Sequence, residues 1–231
     1  AYPWRDVKFL IFLLLTGLGF AAEPLTEIKG CTHVPTEWAD GDSFLVRTPD
    51  GTEHTLRLYG ADCIEWHVTD ESDARRLRSQ RRYFGISEFG GSPQKSIATA
   101  KDFGAKAGAR ARELLATPFT IHTAFADARG DGKYKRIYGF VTTSEGKDLA
   151  AQLVSEGLAR AYGVFRQNPS LESADDYKEQ LRDLELQAAK KGLGVWQHTD
   201  WDKLPGERDL ERQDDAELAL ATGGNADPEL A

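Results

Sequence analysis

The sequence predicts an α+β fold, mainly β: a small closed Greek-key barrel of five strands with about three helices packed on it. Three observations carry that expectation. Short alternating apolar runs are separated by turn residues, a long helical stripe falls between the third and fourth runs, and two more helical stripes follow the fifth. With 231 residues and 40% hydrophobic content, the chain is long enough for one good core plus extensions.

Residues 1–22 stand apart. Arg5 and Lys8 precede the apolar run from Phe9 to Phe20, and Gly19, Ala21 and Ala22 supply small residues where a signal peptidase would cut. The run is shorter than the ~20 residues that span a bilayer. The pattern reads as an export signal cleaved near Ala21 or Ala22, which would place the protein outside the cell or in the periplasm or cell envelope. The sequence contains no methionine, so Ala1 is not expected to be the translation start.

The first strand runs near Cys31. Ser43 to Arg47 and Glu53 to Tyr59 read as the second and third, folded on one another by Pro49-Asp50-Gly51. Thr99 to Ala116 is helical by the spacing of Phe103, Ala107, Ala111 and Leu114, and Thr117-Pro118 stops it. Phe119 to Ala126 and Tyr134 to Thr143 are the fourth and fifth strands, with Gly130-Asp131-Gly132 as the turn between them. Asp148 can cap a helix carrying Leu149, Leu153, Val154, Leu158 and Tyr162. Ser170 or Ser173 opens another, with Tyr177, Leu181 and Leu184 on one face, which Lys190, Lys191 and Gly192 close. This order of elements suits the OB-fold, a platform used for binding as well as for catalysis.

Function must come from the stretch between Trp38 and Glu65. Asp40 and Asp42 lie at one end of the hairpin, Asp62 and Glu65 follow its other end, and Arg57 lies between. A hairpin of this length returns the chain so that the acids can meet. Carboxylates brought together repel, and they need either a proton or a cation. An all-oxygen set suits a hard ion such as calcium. Taken singly, each acid could equally sit on a solvated turn.

GDSF, RLYGADCIE, YKRIYGFV, EGLARAY and KKGLGVW, in this order from roughly Thr32 to Gln197, resemble the staphylococcal nuclease (thermonuclease) family. The resemblance implies an OB-fold and a calcium-dependent hydrolase that cuts DNA or RNA, single-stranded or frayed, as a monomer without a stable protein partner. It implies calcium bound by Asp42, Asp62 and the Cys63 carbonyl, with Glu65 acting on the attacking water and Arg57 and Arg136 on the phosphate. Two guanidiniums can each donate paired hydrogen bonds to phosphate oxygens, which lysine cannot. Tyr134, Tyr162 and Phe165 are the expected nucleotide contacts, although Gly163 falls where the family's archetype has a tyrosine and Ile64 where proline is common. Tyr138 is either a further contact or core. The alternatives are a non-catalytic OB module that binds nucleic acid or protein, and a calcium-stabilised envelope protein without a substrate.

The domain so delimited is 23–198. Within it, 66–97 looks like an inserted basic loop: Arg75, Arg76, Arg78, Arg81 and Arg82 adjoin Tyr83 and Phe84, then glycines and Pro93 follow. Arginine mixed with aromatics suits phosphate contact, while the plainer reading is a solvated turn or short surface helix. Residues 199–231 carry ten acids against three bases, most of the chain's net charge of −8, and read as a flexible acidic tail. In an oxidising compartment Cys31 and Cys63 could pair or remain as buried thiols.

Overall fold

The computed structural model describes residues 23–128 and 135–221. The elements are β1 (Thr26–Val34), β2 (Ser43–Arg47), β3 (Glu53–Leu58), β4 (Ala61–Cys63), α1 (Glu71–Tyr83), α2 (Pro93–Leu114), β5 (Phe119–Thr123), β6 (Arg136–Thr142), α3 (Leu149–Ser155), β7 (Ala159–Ala161), α4 (Ala174–Lys191) and α5 (Leu204–Ala221). Strands β1, β2, β3, β6 and β5 close a barrel in that order, and β4 pairs with β7 beside it. The expected five-stranded barrel and its mixed α+β class are therefore present. Phe44, Val46, Leu56, Phe119, Ile121 and Val141 fill its interior, the inward half of the alternating strands.

Register then sets the chemistry. Ser43 lies opposite Arg57 in the antiparallel β2–β3 pair, and Thr55 opposite Arg136 in the parallel β3–β6 pair. Asp62 lies opposite Arg160 in β4–β7. Facing residues of paired strands have side chains close enough to interact, so the topology itself brings Asp62 and Arg160 together.

The helix caps follow the local sequence. Ser173 and Asp176 form a capping box on α4, and Gly192 ends it with φ +62°. Asp148 caps α3 through the Ala150 N–H. That helix is shorter than its apolar spacing suggested: it stops at Ser155, and Leu158 and Tyr162 lie beyond it. Gly157 has φ +69°, and a Cβ there would come within 2.3 Å of the Leu193 carbonyl oxygen. The chain must turn at that point, and Ala159–Ala161 pairs as β7 instead.

Two further expectations are corrected. The basic segment, expected to be a loop with a short surface helix as the plainer alternative, contains the helix α1, capped by Asp70, whose carboxylate accepts from the Asp73 N–H at 2.9 Å. The tail expected to be flexible from residue 199 forms α5 over 204–221, docked on α1. Ser79 Oγ donates to Glu211 at 2.8 Å, Arg82 pairs with Asp214, and Arg208 Nε donates to the Tyr83 carbonyl at 3.1 Å. Cys31 and Cys63 are both free and buried, so no bridge joins them. The export-signal reading of 1–22, the turn at 130–132 and the contact expected of Tyr134 lie outside the described residues.

Candidate active site

Two glycines let α2 press against both acidic segments. A Cβ on Gly41 would meet Cys63 Sγ at 2.7 Å and the Ala107 side chain at 3.0 Å; one on Gly104 would meet the Ile64 carbonyl at 2.2 Å. Asp40 shapes the turn, its Oδ1 accepting from the Asp42 N–H at 3.1 Å and the Ser43 N–H at 2.6 Å. That turn delivers Asp42 into the protein with 0% exposure.

Arg57, 3% exposed, bridges the two acidic segments: Nη1 donates to Asp42 Oδ1 at 2.9 Å and Nη2 to Asp62 Oδ1 at 2.8 Å. The Cys63 N–H donates to the other Asp42 oxygen. Asp62 takes further bonds on both oxygens, from Arg76 at 3.3 Å on Oδ1 and from Arg160 at 2.8 Å and Gln80 at 2.9 Å on Oδ2. Gln80 Nε2 also donates to the Cys63 carbonyl at 2.7 Å, while its Oε1 accepts from the Glu65 N–H at 2.8 Å. Arg160 is held in turn by Glu211 of α5 at 2.7 Å.

Charge follows from these contacts. Burial pushes Asp42 well above the ordinary carboxylate range; Arg57 opposes the rise, and Asp40 and Asp62 add to it. Burial would likewise raise Asp62, but Arg160, Arg76 and Arg57, with the Gln80 amide, hold it well below that range. Burial lifts Glu65 from 4.5 to about 7; Arg76, paired with it at 2.8 Å, resists, and Asp42 and Asp62 reinforce the rise. Within one cluster Asp42 and Glu65 are thus raised and Asp62 is lowered.

Calcium does not fit these donors as they are arranged. The ion takes six to eight oxygens, whereas both Asp62 oxygens, both Asp42 oxygens and the Cys63 carbonyl already accept from guanidinium or amide N–H groups. Among the described residues no group of three or more His, Cys, Asp or Glu is placed to hold a metal ion. The expected ligand set of Asp42, Asp62 and Cys63 is assembled in space, but around arginine.

A cleft of about 630 Å³ opens beside this cluster, lined by Trp38, Glu65, Trp66, Arg76 and Arg136 among others, with Asp70 and Asp73 also on its wall. Glu65 and Arg136 therefore line one cleft, which Asp42 and Asp62 do not. Arg57 lines no part of it and faces the buried acids. Tyr162 and Phe165 line a separate groove of about 650 Å³ with Lys178, Arg182 and Trp201. There the Arg160 guanidinium lies 3.8 Å from the centre of the Tyr162 ring. Tyr138 is core, stacked on Tyr59 at 4.9 Å.

Sequence reasoning named Arg76 only among five arginines suited to phosphate contact, and missed Gln80, Arg160 and Glu211 as parts of the site. Arg160 lies inside EGLARAY, and its place opposite Asp62 became visible only with the β4–β7 pairing. Gln80 lies in a run of arginines whose charge drew attention from it.

No curated protein matches the chain. The family model for staphylococcal nuclease homologues matches residues 55–198, more than half of the chain. That span contains Arg57, Asp62, Glu65, Arg136 and Arg160, the closed barrel is the platform described above, and the chain belongs to the staphylococcal nuclease homologue family.

Proposed function

We propose that the protein is a nuclease that hydrolyses phosphodiester bonds of nucleic acid in the cleft between Glu65 and Arg136. One observation carries this reading: a carboxyl group titrating near neutrality shares a cleft wall with two guanidiniums, Arg76 and Arg136. A general base works best when its pKa lies near the working pH. Glu65 takes a proton from water, the water oxygen bonds to phosphorus, and the departing alkoxide takes a proton from solvent in the open cleft. Arg76 and Arg136 donate to the non-bridging oxygens, where negative charge grows. The role expected of Arg57 at the phosphate passes to Arg76, and Arg57 instead positions Asp42 and Asp62.

Trp38, 42% exposed, and Trp66 offer rings on which unpaired bases can stack. Asp70 and Asp73 would repel a phosphate from their side of the cleft and favour the arginine side. These features favour single-stranded or frayed substrate. The apolar run from Phe9 to Phe20 supports export, which the N-terminal sequence of the mature protein would test.

The deciding experiment incubates the full chain with single-stranded DNA, RNA and plasmid, in calcium and in chelator. Cleavage by the wild type and its loss in Glu65→Gln are expected in both conditions. A mobility shift without cleavage would instead indicate a binding module, and neither result would reject both readings.

A further inference from the structure

The segment 66–97 adds more than a surface feature to this barrel. Its helix α1 sends Gln80, fully buried, between Asp62 and the Cys63 carbonyl, and sends Arg76 to Asp62 and Glu65 together. From the other side β7 supplies Arg160, and from below β3 supplies Arg57. Three guanidiniums and one carboxamide thus converge on Asp42, Asp62 and Glu65. Guanidinium and amide N–H groups neutralise or solvate carboxylates as a bound cation would, and they are delivered by the chain itself.

We infer that this cage takes the place of a divalent ion: the carboxylate centre is complete without metal, and Gln80 is the residue that keeps one out. Its position is the decisive one. Nε2 points a donor at two oxygens that a hard cation would need, and Oε1 is committed to the Glu65 N–H at 2.8 Å. A cation entering between Asp62 and Cys63 would meet the Gln80 N–H dipole with its positive end first, and the Arg57 and Arg160 charges behind it. The cage is itself braced from outside, because Glu211 of α5 holds Arg160 and also accepts from Ser79 on α1. The whole of this bracing lies in the two helices that the sequence alone assigned to a loop and a tail.

The test is thermal melting of the full chain, with calcium raised to about 10 mM, roughly ten times the weakest dissociation constants among extracellular calcium modules. Magnesium and sodium chloride at matched ionic strength are the controls. The wild type, first passed through chelator, should melt at a temperature that calcium does not move beyond those controls. Gln80→Glu is nearly isosteric; one of its oxygens can still accept from the Glu65 N–H, and the other turns the donor into an acceptor facing Asp62 and Cys63. It should gain a calcium-specific rise of about 3–6 °C for a site of ~1 mM affinity. Folding of that variant only in calcium would be the same result in stronger form. Should it fold in neither condition, Gln80→Ala, which removes the donor from Asp62 and the Cys63 carbonyl, is read in the same way. Calcium-specific stabilisation of the wild type would overturn the inference, and so would variants that calcium leaves unmoved. Melting reads ion binding and not hydrolysis, so a chain that cleaves nothing still returns one of these answers.

Discussion

Replacing Arg57 by alanine should destabilise the protein by about 3–5 kcal/mol, the cost of breaking a buried ion pair by removing one partner. Arg57 holds two acids from opposite ends of a hairpin, at 2.9 Å and 2.8 Å, and neither acid is more than 3% exposed. Water cannot replace the guanidinium at that depth without opening the barrel end. Two features separate the fates of the acids. Asp62 keeps Arg76, Arg160 and Gln80, whereas Asp42 keeps the Cys63 N–H and the neighbouring Asp40 carboxyl, and has a raised pKa that lets it take up a proton. Proton uptake by Asp42 offsets part of the loss, so the cost should be smaller at lower pH than at higher pH. Arg57→Lys keeps a charge but cannot span both acids, and should cost about 1–3 kcal/mol. Urea denaturation followed by circular dichroism measures both; with a slope of ~2 kcal/mol/M, the alanine midpoint falls by about 1.5–2.5 M. A loss below about 1 kcal/mol for Arg57→Ala, in the range of exposed ion pairs, would show that the bridge is screened by water and that the carboxylate cluster is not closed.

Other expectations follow from the same contacts. Arg136→Lys should lower turnover at least tenfold, because a lysine cannot make a paired contact to phosphate; initial rates on a fluorescent oligonucleotide measure it. Asp62 has a depressed folded pKa, so its stabilisation is full above the ordinary carboxylate range and is lost as the pH falls through and below it. The urea midpoint should therefore drop on acidification below about pH 4, and Asp62→Asn, less stable at neutrality, should show a flatter acid limb. Glu65 has the opposite sign: its raised pKa gives a contribution that is full below 4.5 and is lost as the pH rises to about 7, so Glu65→Gln should remove that decline in the same titration. Truncation after residue 203 strips Glu211 from Arg160 and Arg208 from the Tyr83 carbonyl, and should lower the melting temperature; hydrogen exchange should find 204–212 protected in the full chain.

The barrel was largely legible because its signals are local. Pro49-Asp50-Gly51 and the alternation on either side place β2 and β3 within a residue of where they lie, and Asp148, Ser173 and Gly192 mark their helix ends by capping chemistry. The meeting of Asp42, Asp62 and Glu65 was also legible, from the hairpin length and from the family resemblance. What stayed hidden shares a physical character. Helix α1 buries only Leu77 and Gln80, so its inward face is polar and apolar periodicity does not reveal it. Asp70-Glu71-Ser72-Asp73 at its start and Arg81-Arg82 at its end were readable as cap and dipole signals, though the glycines that follow outweighed them. Helix α5 turns Glu207 and Glu211 inward, and acids are buried only when partners are present. The partners of Glu211 are Ser79 and Arg160, far away in sequence. Tyr162 continued the apolar spacing of α3, but Gly157 ends that helix by a close approach to Leu193 that no local pattern encodes.

The most direct measurement of the central claim is the pH dependence of single-turnover cleavage of a short single-stranded oligonucleotide in chelator, for the wild type and for Glu65→Gln. A rate that climbs tenfold per pH unit below neutrality and levels off above about pH 7 is the expected wild-type profile, with Glu65→Gln slower by roughly 100-fold or more and without that inflection. A Glu65→Gln variant with the same rate and the same inflection would remove Glu65 from the chemistry and with it the reading of this cleft as a nuclease site, whereas a wild type inert in chelator but active in calcium would contradict the metal-free centre alone.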